Sequence, residues 1–199
     1  MSKAYQVGYK KNPLKVLIIL LFISSFSLWG KSVEVSIDPS GSLIKVFGTS
    51  NVQSWQLKAK SFKGSGTFDL DKNELKTVEK FSIEVVAAKV LGKSRTINRK
   101  VAKALEVVKF PIILGEMKNV SIKGSTISGK MSFNLHGIKK ELNFNAKVKK
   151  DGKNFLIEGV QKLDMTDFKI KPPETKVLFI TAIVAPVVTV NYKLTLIRN

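Results

Sequence analysis

The sequence predicts an all-β chain: an antiparallel barrel of about eight strands with one short capping helix. Three observations predict it. Alternation of apolar and polar residues with a period of two recurs from Val33 onward, the signature of strands with one buried face. The polar positions of those strands are dense in lysine, so the outer face belongs in water and the apolar rows point inward, the reverse of a membrane barrel. A single segment, from Thr96 to Val108, has helical spacing instead.

The first element is not part of the barrel. Residues 1–30 carry Lys3, Lys10, Lys11 and Lys15 and no acid. An apolar run from Val16 to Phe22 follows, and small serines punctuate Ile23 to Trp29. This is the layout of a secretory signal, with cleavage expected after Ser27 or Gly30. The apolar stretch Leu14–Trp29 is 16 residues, short of the roughly 20 a spanning helix needs. An uncleaved anchor is the alternative. The expected organisation is thus a signal peptide over 1–30 and a barrel domain over 31–199. Such a protein is exported, either periplasmic or secreted, and stays membrane-tethered if the segment is retained.

Within the body, Ile44 and Val46 mark an early strand, and Trp55 and Leu57 a second that ends at Ala59. Phe62, Phe68 and Leu70 stay in phase across Gly64 and Gly66, where a strand bends or bulges. Phe81, Ile83, Val85 and Ala87 form the next inner row. In the predicted helix, Ile97, Val101, Ala104, Leu105 and Val108 share a face, Ser94 or Thr96 caps the start, and Pro111 lies beyond the end. Phe110 and Ile112 follow as inward candidates, with parity blurred by Ile113. Met131, Phe133 and Leu135 face one way along a clear strand that begins at Ile127. After a turn at His136–Lys140, Leu142, Phe144, Ala146 and Val148 do the same. Phe155 and Ile157 open a further strand, and Val188, Val190, Tyr192, Leu194 and Leu196 form the last inner row.

Composition narrows the function. The 44% hydrophobic content supports a core without staples, and the absence of cysteine excludes disulfides, thiolate metal sites and a cysteine nucleophile. A formal charge of +19 invites a nucleic-acid reading. Only Arg95, Arg99 and Arg198 of the 34 basic residues are arginine, however, and lysine is a point charge without the bidentate fork that reads phosphate and guanine. No nucleic-acid partner is expected. The scattered lysines read as a solvated face, with weak attraction to an anionic membrane as the remaining option. His136 is the only histidine, which removes His-based triads and multi-His metal sites. Asp164 and Asp167, three apart at a strand–loop junction, point in different directions, and Asp167 is expected to fix a turn. No acid–base pair with supporting residues is visible, so no catalysis and no metal are expected.

Four landmarks, in order, resemble the YceI-like family. They are Leu43-Ile-Lys-Val-Phe-Gly-Thr-Ser-Asn-Val-Gln-Ser-Trp55, Lys103-Ala-Leu-Glu-Val-Val-Lys-Phe-Pro111, Met131-Ser-Phe-Asn-Leu-His-Gly-Ile-Lys139 and Leu163-Asp-Met-Thr-Asp-Phe-Lys-Ile-Lys-Pro-Pro173. Gln53-Ser54 replaces the His-Asp of one subgroup, and Lys169 replaces a glycine. The resemblance implies a lipocalin-like barrel with a helical cap and an elongated apolar cavity, which in some members accommodates polyisoprenoids or related lipids. Phe168, in the fourth landmark, joins the inward set. On this reading the ligand is an apolar, isoprenoid or quinone-like lipid and no other cofactor is needed. Arg95, Arg99 and His136 are candidates for its headgroup, and a homodimer remains open. A solid barrel serving as a structural or protein-interaction module of the envelope is the rival reading. The stretch Val177–Val190 is unusually apolar, and Ala185-Pro186 sits where relatives place a polar turn; core or a lid over the cavity is favoured there over membrane contact.

Overall fold

Period-two alternation obliges each strand to bury one face, and a sheet closed on itself does so with no free edge. In the computed structural model, which describes residues 31–71, 74–177 and 179–199, this is the outcome. The elements are β1 (Lys31–Thr49), β2 (Ser54–Ala59), β3 (Phe62–Asp71), β4 (Glu74–Val86), β5 (Val90–Leu91), α1 (Arg95–Ala104), β6 (Ile112–Lys123), β7 (Thr126–Leu135), β8 (Ile138–Asp151), β9 (Asn154–Asp164), β10 (Glu174–Val177), β11 (Ile180–Ile183) and β12 (Val187–Arg198). Eight of them form the wall in the order β1-β3-β4-β6-β7-β8-β9-β12, and β12 pairs back onto β1 to close it. The expected signal lies outside the described residues.

The wall is not uniform along its length. β1 pairs with β3 only through Lys31–Ser36; from Lys45 to Thr49 its partner is β2. Between these stretches the β1–β12 register shifts from Asp38 to Leu43. Pro39 and Gly41 sit in the shift, where the backbone cannot keep a regular ladder. Side chains replace the lost bonds. Asp38 Oδ1 accepts the Ser40 N–H at 2.9 Å and the Ser40 hydroxyl at 2.6 Å, and Ser42 Oγ accepts the Thr195 N–H at 2.9 Å. The Ser40 hydroxyl bond holds the Asp38 carboxyl below the usual carboxylate range. Beyond the bend, β1 parts from β3, and β2 with β5 fills the widened wall.

β8 shows the alternation most plainly. Phe144, Ala146 and Val148 are buried while Asn143, Asn145, Lys147 and Lys149 are exposed. The preceding turn is tighter than the His136–Lys140 expectation: two residues, His136 and Gly137, both at positive φ (55° and 73°), as a primed hairpin turn requires. β6 resolves the blurred parity. Val85 and Val86 of β4 pair with Ile113 and Ile112, which puts Ile113 on the inner face with Val85 and turns Ile112 outward to solvent.

The helix starts where expected, with Ser94 Oγ accepting the Ile97 N–H at 3.2 Å. It ends four residues before Val108. Glu106 takes a left-handed conformation (φ 44°), and the bonds Val107 N–H to Ala102 C=O and Glu106 N–H to Lys103 C=O, each 3.2 Å, close a Schellman motif. Val108 therefore leaves the helical face and is exposed.

The barrel interior divides in two. At the end built from the start of β1 and the end of β12, side chains fill the space: Val35, Ile37, Leu70, Val120, Phe155 and Leu196 are all buried in one cluster. At the opposite end they do not, and the interior is hollow.

Candidate functional site

The hollow end is a cavity of about 490 Å³, within the roughly 300–1,000 Å³ range of small-molecule sites. Its floor is the top of the packed core, at Phe68, Val78 and Ile127. Its walls are the inner rows of the barrel. Its rim is made by three pieces outside the barrel: α1, the 50–53 turn and the β10–β11 hairpin.

Each rim piece is held by a specific bond. α1 turns Ile97, Val101, Ala104 and Leu105 toward the cavity. The Lys100 ammonium, on the same side, donates to Thr175 Oγ1 of β10 at 2.7 Å. In the 50–53 turn, Ser50 Oγ accepts the Gln53 N–H at 3.1 Å and donates to the Gln53 carbonyl at 2.9 Å. That turn presents Asn51 to the hairpin. The Asn51 amide donates to the Thr181 carbonyl at 2.9 Å and accepts the Ile183 N–H at 2.8 Å. Ala182 and Val184 of the hairpin strand face the cavity, while Ile180 and Ile183 are exposed. The apolar Val177–Val190 stretch thus divides: the hairpin part lies over the cavity as a lid with an apolar outer face, while Val188 and Val190 belong to β12 and pack into the barrel.

Most of the sequence-selected inward residues line the cavity: Trp55, Leu57, Phe68, Phe81, Ile83, Val85, Met131, Phe133, Leu135, Phe144, Ile157, Val190 and Tyr192. Trp55 is set by its neighbours. Its indole lies against Gly48, where any side chain would collide with the ring, and Nε1–H donates to the Thr49 carbonyl at 3.2 Å. Tyr192 stacks on Phe144 (centroids 5.9 Å apart, 15° between planes), and Gly159 leaves room for its phenol. Burial pushes the Tyr192 phenol up, well above its ordinary value.

Five inward candidates are elsewhere. Phe62 and Phe155 are packed core; Phe155, at the filled end, lies under the Arg198 guanidinium at 5.6 Å. Phe168 is fully buried in a second cluster with Leu135 and Ile170, behind the cavity wall. Phe110 packs on His136 (centroids 4.5 Å apart) and over Gly137. Ile112 faces solvent. None of the three headgroup candidates lines the cavity. Arg95 and Arg99 are exposed on the face of α1 turned away from it. His136 is a clasp: Nδ1–H donates to the Phe168 carbonyl at 3.1 Å, and Nε2 is 3.1 Å from Glu106 Oε1, in ion-pair range but off the line of a hydrogen bond. It joins the end of α1 to the turn after β9. Among the described residues the cation at the cavity rim is Lys100, which no motif or spacing singles out.

The turn-fixing role expected of Asp167 falls to Asp164 instead. Asp164 Oδ1 fixes the turn by accepting the Thr166 N–H (2.9 Å) and hydroxyl (2.6 Å), and the hydroxyl bond keeps its carboxyl below the usual range. Asp167 pairs with the Lys140 ammonium at 2.6 Å. Lys169, at φ 55°, holds the left-handed position for which a glycine is the unstrained choice. Among the described residues, no three metal-ligating side chains come together, and no helix is long and apolar enough to cross a membrane.

A family model for the YceI-like domain matches residues 35–196. No curated protein matches the chain in sequence. Among solved structures, the chain is similar to BcnA of Burkholderia cenocepacia (16% identity, TM-score 0.64), covering 80% of this chain and 98% of that one. It is similar to a polyisoprenoid-binding domain from Saccharophagus degradans implicated in plant cell wall breakdown (10% identity, TM-score 0.63, covering 84% and 99%). A YceI protein of Campylobacter jejuni aligns at 15% identity and TM-score 0.52, over 68% and 81%. At these identities the likeness is one of fold.

Proposed function

The chain belongs to the YceI-like family, and from that premise we propose that it binds a long apolar lipid of the isoprenoid type, tail first, inside the barrel. The observation that carries this reading is the one-ended apolar cavity of about 490 Å³. It removes the main support for the solid-barrel alternative. The polyisoprenoid-binding domain from Saccharophagus degradans shares the fold and supports the same ligand class. Burial of each CH₂ of the tail contributes about 0.8 kcal/mol, so affinity comes from chain length and not from polar recognition. The few polar groups at the rim, Lys100, Gln53 and Gln161, would then meet the headgroup. The role is carriage or sequestration in the cell envelope, reached by way of residues 1–30, with no chemistry on the lipid.

Native mass spectrometry of the full chain, before and after titration with a polyprenol and a prenylquinone, tests it. A stoichiometric adduct that survives purification is expected, with retention falling as the isoprenoid chain is shortened. An apo mass unchanged by either lipid would overturn the reading.

A further inference from the structure

The apolar surface of this protein is not spread evenly. Among the described residues nine large hydrophobics are exposed, and all but Val160 and Ile197 lie on segments around the cavity mouth. Phe179, at the hairpin tip, is fully exposed (102%), and Val108 nearly so (97%). Ile180, Ile183, Val187 and Val52 add to the same end. An apolar patch of this kind on a water-facing barrel marks a contact surface.

Charge says what kind of surface it meets. The 93–109 segment holds six basic residues (Lys93, Arg95, Arg99, Lys100, Lys103 and Lys109) and one acid, Glu106. That acid is already in ion-pair range of His136. In α1, Arg95, Arg99 and Lys103 lie opposite the face that lines the cavity, so they point away from the barrel. The Lys100–Thr175 bond ties this basic helix to the apolar hairpin, and the Asn51 bonds tie the hairpin to the turn bearing Val52. Basic and apolar surfaces therefore form one rim.

We propose that this rim is a membrane-docking face whose partner is an anionic lipid bilayer: the β10–β11 hairpin enters the acyl boundary and the outer face of α1 meets the lipid phosphates. Apolar side chains flanked by a basic helix face are the combination that binds such an interface, each part insufficient alone. The cavity opens at the same end, so an amphiphile passes between bilayer and barrel without crossing water. The docking stands on the surface alone and requires nothing in the cavity, so its failure and a failure of lipid binding are separate results.

The chain has no cysteine, which permits site-specific labelling of the full-length protein. An environment-sensitive fluorophore on F179C, or on I180C as a second site, is mixed with phosphatidylcholine vesicles with and without phosphatidylglycerol. The expected result is a blue shift with anionic vesicles, weakened by salt, and none from the same dye on K153C in the β8–β9 turn at the filled end. R95Q/R99Q should reduce partitioning of the rim label about tenfold or more. No shift at 179 or 180 while the chain still cosediments with vesicles would assign membrane binding to residues 1–30 and overturn the proposal. So would equal shifts at both ends. A shift that grows with protein concentration in the absence of vesicles would give the face to a second copy of the chain instead.

Discussion

The two ends of the barrel are built from the same eight strands and the same alternation, yet one is filled and the other hollow. The difference lies in the wall and not in the size of the side chains. At the filled end β1 lies directly against β3, and Gly64 and Gly66 bring β3 close to its neighbours: a side chain at either would meet the backbone carbonyl of Ser82 or Lys80 within 2.6 Å. Past the Asp38–Leu43 register shift, β1 departs from β3 and two extra strands widen the circumference. The large residues there (Trp55, Phe81, Phe133, Phe144 and Tyr192) line a space they do not fill. Hollowness here is a property of strand pairing.

The largest expected effect separates the ends directly. Phe155→Ala at the filled end leaves a void with no room to collapse and should cost about 3–5 kcal/mol. Phe133→Ala removes a ring that already borders empty space and should cost about half as much or less, while weakening retention of an apolar lipid. Urea unfolding midpoints of the two variants measure the gap. Equal losses would mean that the hollow end is closed and packed in solution.

The opposite substitution sharpens the contrast at a smaller scale. Val35 is fully buried, so Val35→Phe overpacks the core and should cost about 1–3 kcal/mol. Val190→Phe points its extra atoms into the cavity and should be close to neutral in stability. It should instead displace ligand, so lipid stoichiometry falls while the unfolding midpoint holds.

These two comparisons also mark what the sequence could and could not reveal. The alternation of β8 and β12 exposed the barrel and its inner rows, because a period of two is a local property of a strand. Ile112 and Val108 were misplaced for a common reason. Parity and helix length near an element's end depend on what packs there, here the β4 register and the left-handed Glu106. Phe155 and Phe144 are indistinguishable in sequence, both aromatic on an inner face, and only their height in the barrel separates core from cavity. His136 was recognisable as a turn residue, but its bonds to Phe168 and its nearness to Glu106 join segments some 30 residues away on either side, beyond the reach of any spacing rule. Lys100 carried no signal at all, because one lysine among 31 looks like surface.

A pH titration asks whether the hollow end is dry. Burial raises the Tyr192 phenol well above its ordinary value, whereas the unfolded chain ionises near pH 10. The sign follows from the proton count. Below about pH 10 both states hold the proton and stability is unaffected; above it the unfolded state releases the proton first, so stability falls with rising pH, by at most about 1.4 kcal/mol per pH unit. Unfolding midpoints at pH 8 and pH 11 should show this loss, and Tyr192→Phe should remove its share. A phenol of ordinary acidity, read from the difference in phenolate absorbance between the two proteins, would mean that water fills the cavity.

The smallest expected effect on stability concerns the lid, and it is the one that tests whether the hollow end is a working site. Asn51 is exposed, so deleting its two side-chain bonds to the hairpin should cost only about 1 kcal/mol. The cost is local, because β10 and β11 pair with each other and touch the barrel wall chiefly through Asn51, the Ser50–Val184 bridge and Lys100. Asn51→Ala should therefore speed amide exchange at Ile183 and quicken lipid release, with the global unfolding midpoint nearly unchanged. Asn51→Asp keeps the acceptor for the Ile183 N–H but loses the donor to the Thr181 carbonyl, so it should fall between the two. If release is unaffected while Ile183 exchange accelerates, the hairpin opens without uncovering the ligand's path. The exit then lies between α1 and the 50–53 turn, the other seam of the rim.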